Sequence, residues 1–275
     1  MSAKSHSFKV GQIDFAVLLD GATELGRDGM MRRFPEGSEA DYRQAYADIG
    51  LYLDEADNSF NILMAKLGEE TVLVDAGEGG RPKGGHLVES MKLTGVEPDA
   101  VTLVVITHTH GDHVVGLLTD DNQPVFPNAQ YVISKEEMTF WRSRIDDGAA
   151  DQRPIVTMME ERGMHLIDMD EQIIPGLTAV PIPGHTPGQI ALLFESEDEK
   201  LVHMADLLHS PMQFAHPEWS ARFDANTHLS VPIRHEALSR AAAENLLTLF
   251  YHLTFPGLGW VRQAETGFTW EPLAT

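Results

Sequence analysis

Within six positions the chain carries three imidazoles and a carboxylate, His108-Thr109-His110-Gly111-Asp112-His113. Imidazole nitrogen and carboxylate oxygen suit zinc, iron, manganese and cobalt alike, so residues of these types at this spacing point to metal chemistry. In extended backbone, residues i and i+2 point the same way, and His108 and His110 can therefore share one ion. The turn at Gly111 lets Asp112 and His113 face a second position beside the first, so two metals are expected. The chain has no cysteine, which excludes disulfides and thiolate ligands and leaves imidazole and carboxylate as the metal-binding groups.

These side chains need a rigid support. The apolar run Val101 to Ile106 reads as a buried strand that releases them at its C-terminal edge, where α/β folds keep their chemistry. Asn58 to Leu67 and Glu70 to Val74 alternate as a hairpin, and the second strand runs into Asp75-Ala76-Gly77. An acid at such a strand end either orients a ligating imidazole or caps a helix. A helix over His86 to Leu93 and a turn at Pro98 to Ala100 complete a βαβ crossover. Ala129 to Ile133 is the next strand, and Ser134 caps a helix with Glu137 in the capping-box position. A helix over Ile155 to Met164 follows, then strands at His165 to Ile167, Ile173-Ile174 and Leu177 to Pro181.

Three later positions extend the candidate ligand set. Pro183-Gly184-His185-Thr186-Pro187-Gly188 is a stiff loop that presents one imidazole. Gln189 to Phe194 and Lys200 to Ala205 read as a hairpin, and alternation places Val202, Met204 and Asp206 on one face. A carboxylate ending an apolar face is costly, and a position between two cations removes that cost. A helix expected over Ser239 to Phe250 delivers His252 ahead of Phe255-Pro256-Gly257, and Thr266 to Pro272 reads as a closing strand. At the front of the chain, Phe8 to Leu19 forms two strands around Gly11, with Asp20-Gly21 as a turn.

Two segments have the character of walls. His209 to Trp219 is dense in apolar and aromatic residues, as a pocket lining is. Residues 26–57 are weakly helical through Tyr42 and Tyr46 without a clean period; a lid, a dimer contact and a plain loop all fit. His6, His86, His165, His203, His216, His228 and His235 are isolated and expected to be structural.

A length of 275 residues fits one α/β unit over 1–275, since such sandwiches run to about 250 residues as a single domain. The formal charge of −22 repels polyanions, which disfavours nucleic acid and favours a neutral or cationic small-molecule substrate, neutral in the first instance. The N-terminus lacks an apolar signal core, and no apolar run is long enough to span a bilayer, so a cytoplasmic protein without membrane partners is expected.

With His108-x-His110-x-Asp112-His113, Gly184-His185-Thr186-x-Gly188, Asp206 and His252 in this order, the chain resembles the metallo-β-lactamase-fold hydrolase superfamily. The resemblance runs from Val74-Asp75-Ala76-Gly77 to Phe255-Pro256-Gly257. It implies an α/β fold, a four-layer αββα sandwich with the metals at one edge between the sheets. It implies that His108, His110 and His185 hold the first ion, Asp112, His113 and His252 the second, and that Asp206 bridges them. Asp206 to Trp219 and the ending His252-x-x-Phe255-Pro256-Gly257 are most similar to the branch containing methyl parathion hydrolase and the N-acyl homoserine lactone lactonases. The superfamily also brings the expectation of a homodimer.

The implied activity is that of a hydrolase with two divalent metal ions, zinc in the first instance and manganese, cobalt or iron otherwise. Two cations bridged by one water lower its pKa from about 15.7 towards roughly 7, and the resulting hydroxide attacks a lactone, carboxylic ester or phosphotriester. Asp112 is expected to orient that water and shuttle its proton. Many lactonases of this fold place a tyrosine three residues after the bridging aspartate; His209 stands there in this chain, and is expected to meet the oxyanion or leaving group. Two alternatives are a persulfide dioxygenase with one iron on His108, His185 and Asp206, and a glyoxalase II-like thioester hydrolase, although no basic glutathione-holding extension is evident after His252.

Overall fold

The computed structural model describes residues 2–79, 85–146 and 152–274. Its first sheet runs β1 (Lys4–Val10), β2 (Ile13–Glu24), β3 (Asp57–Leu67), β4 (Glu70–Val74), β5 (Leu103–Val105), β6 (Gln130–Ser134) and β7 (Met164–Ile167), neighbours in space as in sequence. The second holds β8 (Gln172–Ile174), β9 (Leu177–Pro181), β10 (Ile190–Ser196), β11 (Glu199–His203), β12 (Leu247–Leu249), β13 (Leu258–Gln263) and β14 (Phe268–Pro272), again in sequential order. The helices are α1 (Gly26–Arg33), α2 (Glu39–Asp48), α3 (Leu87–Lys92), the single turn α4 (Gly111–Val114), α5 (Lys135–Asp146), α6 (Arg153–Glu161) and α7 (Thr227–Ala243). Strands β4 to β7 pair in parallel, as do β11 and β12. Parallel neighbours need crossovers, and the helices supply them.

Because side chains alternate along a strand, each central strand feeds two apolar layers. Val17, Leu63, Val74 and Val105 of the first sheet meet Ala179, Leu192, Leu201 and Leu249 of the second. On the outer side of the first sheet, Leu18, Ile62 and Val104 pack on Met91 of α3, Trp141 of α5 and Met159 of α6. On the outer side of the second, Leu193, Val202 and Val261 pack on Leu238 and Ala241 of α7. The result is the expected αββα order of layers.

Three local expectations need correction, and one strand was not expected. Asp20-Gly21 is no turn: β2 continues to Glu24 through a register shift between Leu19 and Gly21, because the buried Asp20 carboxylate accepts from the backbone N–H groups of Glu78, Gly85 and Leu87. β11 ends at His203, and Asp206 sits in a short 3-10 turn after Ala205, which has φ +44°, so strand alternation does not place it. The helix expected from Ser239 begins at Thr227, capped by Asn226, and ends at Ala243, leaving 247–249 to a strand. β13 had no counterpart in the sequence reading.

Residues 26–57 build a small core of their own. Met30, Phe34, Tyr42, Tyr46 and Leu53 close over Met212 and Ala221, and Ser38 and Asp41 form a reciprocal capping box at α2. Hydrogen bonds fasten this unit to the loop beyond Asp206: Tyr46 Oη lies 3.0 Å from Ser210 Oγ, and Arg222 N donates to Arg33 O at 2.8 Å. Among the described residues no helix is long and apolar enough to cross a membrane.

Candidate metal centre

Chain ends from both sheets meet at one edge of the sandwich. β5 releases Ile106 to His110 into a loop whose next turn, α4, carries Asp112 and His113. The loop between β9 and β10 brings His185, the turn after β11 brings Asp206, and the connection between β12 and β13 brings His252. The His185 loop is held by close approach: a Cβ on Gly188 would lie 2.1 Å from Glu137 N, and one on Gly184 2.4 Å from Ser230 N. Neither glycine can be exchanged without moving a neighbour's backbone.

Hydrogen bonds on the far side of each ring determine where its lone pair points. Thr107 Oγ1 donates its proton to Asp75 Oδ2 at 2.7 Å, so it accepts from His108 Nδ1 at 3.1 Å. His113 Nδ1 donates to Asp75 Oδ2 at 2.7 Å, and His185 Nδ1 to Asp224 Oδ1 at 2.8 Å. Each of these rings is thereby left with Nε2 facing inwards, the ligating atom. His252 Nδ1 has two neighbours, the Ser59 carbonyl at 3.1 Å and Asn58 Nδ2 at 2.9 Å, so its ring is not fixed in one tautomer as the other three are; a hydrogen on Nδ1 directed to the carbonyl leaves Nε2 facing inwards.

The inward atoms fall into two groups that share Asp206. His110 Nδ1 is 3.2 Å from His108 Nε2 and 2.8 Å from His185 Nε2, and Asp206 Oδ2 lies 3.6 and 3.3 Å from those two Nε2 atoms. In the second group, His252 Nε2 is 3.5 Å from Asp112 Oδ2 and 3.0 Å from Asp206 Oδ2, while His113 Nε2 is 3.2 Å from Asp206 Oδ1. His113 Nε2 and Asp206 Oδ1 are buried and make no hydrogen bond. Lone pairs aimed at one another across such distances repel unless a cation lies between them. The donor set, nitrogen and oxygen without sulfur, fits a dinuclear site for divalent ions.

Electrostatics carry the same demand. Burial would push the Asp206 carboxyl up, but His252, His113, His108 and His209 hold it well below the usual carboxylate range. Burial opposes charge on His113 too, yet Asp206, Asp75 and Asp112 raise it well above an ordinary histidine. His185, desolvated but flanked by Asp206 and Asp224, is raised to about 9. Protons or divalent cations can supply the positive charge that Asp206 needs, and metal binding displaces the protons.

The structure brings together all seven expected ligands and His209. His209 is 1% exposed, its Nε2 lies 3.1 Å from Asp206 Oδ2, and burial lowers it to about 3, so it is a neutral ring. Its Nδ1 makes no hydrogen bond. None of the seven histidines expected to be structural joins a ligand group among the described residues.

Sequence reading missed two supporting acids. Asp224 holds His185 and is itself held by Arg234 Nη2 at 3.0 Å and Ser230 Oγ at 3.0 Å, a buried ion pair that ties α7 to the site. Glu137 was expected to close a capping box. Its backbone N–H does bond Ser134 Oγ at 3.0 Å, but its carboxylate turns inwards and joins the two histidine loops. Oε1 accepts from Thr109 N at 2.9 Å and Thr109 Oγ1 at 2.8 Å; Oε2 accepts from Thr186 Oγ1 at 2.6 Å and Gly188 N at 3.1 Å. No local pattern marks these roles at the site, since the partners on the histidine loops lie between 28 and 51 positions away.

The metallo-beta-lactamase superfamily profile matches residues 56–249. An N-acyl homoserine lactonase of Bacillus sp is 25% identical over 147 residues, 53% of this chain and 54% of that protein. Metallo-beta-lactamase domain-containing protein 1 of Xenopus laevis is 34% identical over 147 residues, 53% of this chain and 52% of its own length. The chain thus spans about half the length of the curated relatives it matches. Among solved structures, AidC, a dizinc quorum-quenching lactonase with bound product, superposes with a TM-score of 0.92 at 26% identity, covering 99% of this chain and 98% of AidC. The hydrolase AbOPH shares the fold at 22% identity, with a TM-score of 0.89 and coverage of 100% and 99%. With the profile spanning most of the chain and its layers and inward-facing ligands in place, the chain belongs to the metallo-beta-lactamase superfamily.

Proposed function

We propose that this protein is a dinuclear metal-dependent hydrolase of small molecules whose preferred bond is a lactone or other carboxylic ester, with a phosphotriester as the third class to be tried. The observation that carries the reading is the pair of adjoining ligand groups, His108, His110, His185 and Asp206 in one and Asp112, His113 and His252 in the other, with Asp206 oxygens 3.2 Å from His113 Nε2 and 3.0 Å from His252 Nε2. The likeness to a dizinc lactonase over nearly the whole chain supports zinc and lactone as first choices.

In this reading His108 Nε2, His110 Nδ1 and His185 Nε2 would hold one ion, Asp112, His113 Nε2 and His252 Nε2 would hold the other, and Asp206 would serve both. Two such ions supply an acidified water and polarisation of the substrate's scissile oxygen. Asp112, at 23% side-chain exposure the most open of the carboxylates in the two groups, orients that water and carries its proton towards the departing oxygen. Asp75 and Asp224 keep His113, His108 and His185 in the ligating tautomer. The neutral His209 ring donates Nε2–H to Asp206, which leaves its buried Nδ1 as an acceptor and makes the orientation of Asp206 its direct contribution to the site.

Protein purified without added metal should contain about two ions per chain, and a chelator should abolish hydrolysis of whichever lactone, aryl ester or phosphotriester is turned over. A single iron with oxygen consumption on a persulfide would overturn the reading in favour of a dioxygenase. His209→Ala should lower kcat by about 10²-fold with both ions retained; loss of an ion would instead make His209 a ligand, as its grouping with Asp206 and His252 allows, or a structural support.

A further inference from the structure

Arg33, the last residue of α1, reaches from the 26–57 unit towards residues that border the ligand groups. Its guanidinium lies 5.3 Å from the centre of the Phe223 ring, and Nη1 donates to Asn58 Oδ1 at 2.8 Å. Those two neighbours flank opposite halves of the site. Phe223 meets His209, His185 and His110 at centroid distances of 4.8, 5.6 and 6.4 Å, whereas Asn58 Nδ2 is 2.9 Å from His252 Nδ1. The guanidinium therefore stands between neighbours of both ligand groups and within electrostatic reach of Asp206 and Asp112.

Among the described residues the Arg33 side chain makes this one hydrogen bond and no ion pair, although a guanidinium offers five N–H donors. Burial lowers its pKa, and the carboxylates of Asp206 and Asp112 oppose that shift. Once those carboxylates are shared with cations, they balance Arg33 less, and a half-buried guanidinium then favours an oxygen acceptor. Beside it Phe223 is 42% exposed, a large apolar face open to solvent next to the ligands.

Building on the hydrolase reading above, we propose that Arg33 and Phe223 form a substrate-recognition subsite. The guanidinium binds an oxygen of the substrate outside the bond that is cleaved, and the Phe223 ring packs the adjoining apolar group. The substrate class is an ester or lactone that carries, outside the cleaved bond, a further oxygen acceptor next to an apolar group.

The test compares N-hexanoyl-homoserine lactone, which carries a side-chain amide carbonyl, with γ-caprolactone, which does not, using the zinc-loaded full chain. Arg33→Met should raise KM for the first by about tenfold or more and leave the second within about twofold, at unchanged metal content. Arg33→Lys should restore part of the loss, and Phe223→Ala should weaken the hexanoyl compound more than its acetyl counterpart. Equal losses on both lactones, or loss of an ion, would make Arg33 a support for Asn58 and His252 and overturn the subsite. Should the wild type open neither lactone, the hydrolase reading is what fails first. Calorimetry of the two ring-opened acids with the metal-loaded protein then decides the subsite: weaker binding of N-hexanoyl-homoserine alone in Arg33→Met upholds it, and unchanged binding overturns it.

Discussion

Replacing Asp206 with Asn is expected to reduce the metal content from about two ions per chain to one or fewer and to take hydrolysis with it. The substitution keeps the shape of the side chain but removes the charge that both ligand groups share. Asp206 is 2% exposed, and its oxygens lie within 3.6 Å of the Nε2 atoms of His108, His113, His185, His209 and His252. Removing one partner from a buried charged arrangement costs about 3–5 kcal/mol, which corresponds to roughly 10²- to 10³-fold in metal affinity. The asparagine amide adds to this by aiming N–H at one group of inward lone pairs. Elemental analysis after dialysis against a weak chelator reads the effect directly. A variant that keeps two ions and wild-type turnover would show that Asp206 does not join the two positions.

Glu137→Gln should have the second largest effect, although Glu137 touches no ligand atom. Its carboxylate is fully buried and accepts from four donors, two beside His108 and His110 and two beside His185. Burial raises its pKa, and those four hydrogen bonds counter the shift by favouring the ionised form. A glutamine offers one acceptor oxygen and one NH₂. The NH₂ must then face either Thr109 N–H or Gly188 N–H, backbone donors that cannot turn round. Charged hydrogen bonds are worth about 1.5–3 kcal/mol each, so a loss of about 3 kcal/mol in unfolding free energy is expected by denaturant titration of the metal-free protein. Because the two loops then lose their common tie, affinity at the His108, His110 and His185 group should also fall, by about 10- to 100-fold. Glu137→Asp should fail in the same way, its shorter side chain being unable to span both loops. Unchanged stability together with unchanged affinity in a chelator competition would refute the tie.

Read as sequence, the chain shows its ligand types and most of its strands because these are written in short-range spacing. The two-residue spacing marks His108 and His110 as neighbours, although β5 ends at Val105 and a loop, not a strand, carries them, and the glycines and prolines around His185 mark a stiff loop. The hairpins β1–β2 and β3–β4 and the β4–α3–β5 crossover are legible for the same reason. Asp206 was recognisable as a buried acid near the end of a strand, but the reason it points to the metals is not alternation. β11 stops at His203 and the chain turns through Ala205, a turn that carries no glycine to announce it.

Only the tertiary structure decided how these residues are held and what faces them. Glu137 lies 28 positions from Thr109 and 49 from Thr186; Asp224 lies 39 from His185 and Arg33 lies 25 from Asn58. At such separations a side chain's partner depends on which loops the two sheets bring to the same edge, and local propensity says nothing of that. Ser134 and Glu137 show the limit in one place. The helix start is a local matter and formed as expected, whereas the free end of the glutamate went to the strongest donors that packing placed within reach. The chemistry of the site is thus written in residue types a few positions apart, and its geometry in contacts that exist only after the sandwich has closed.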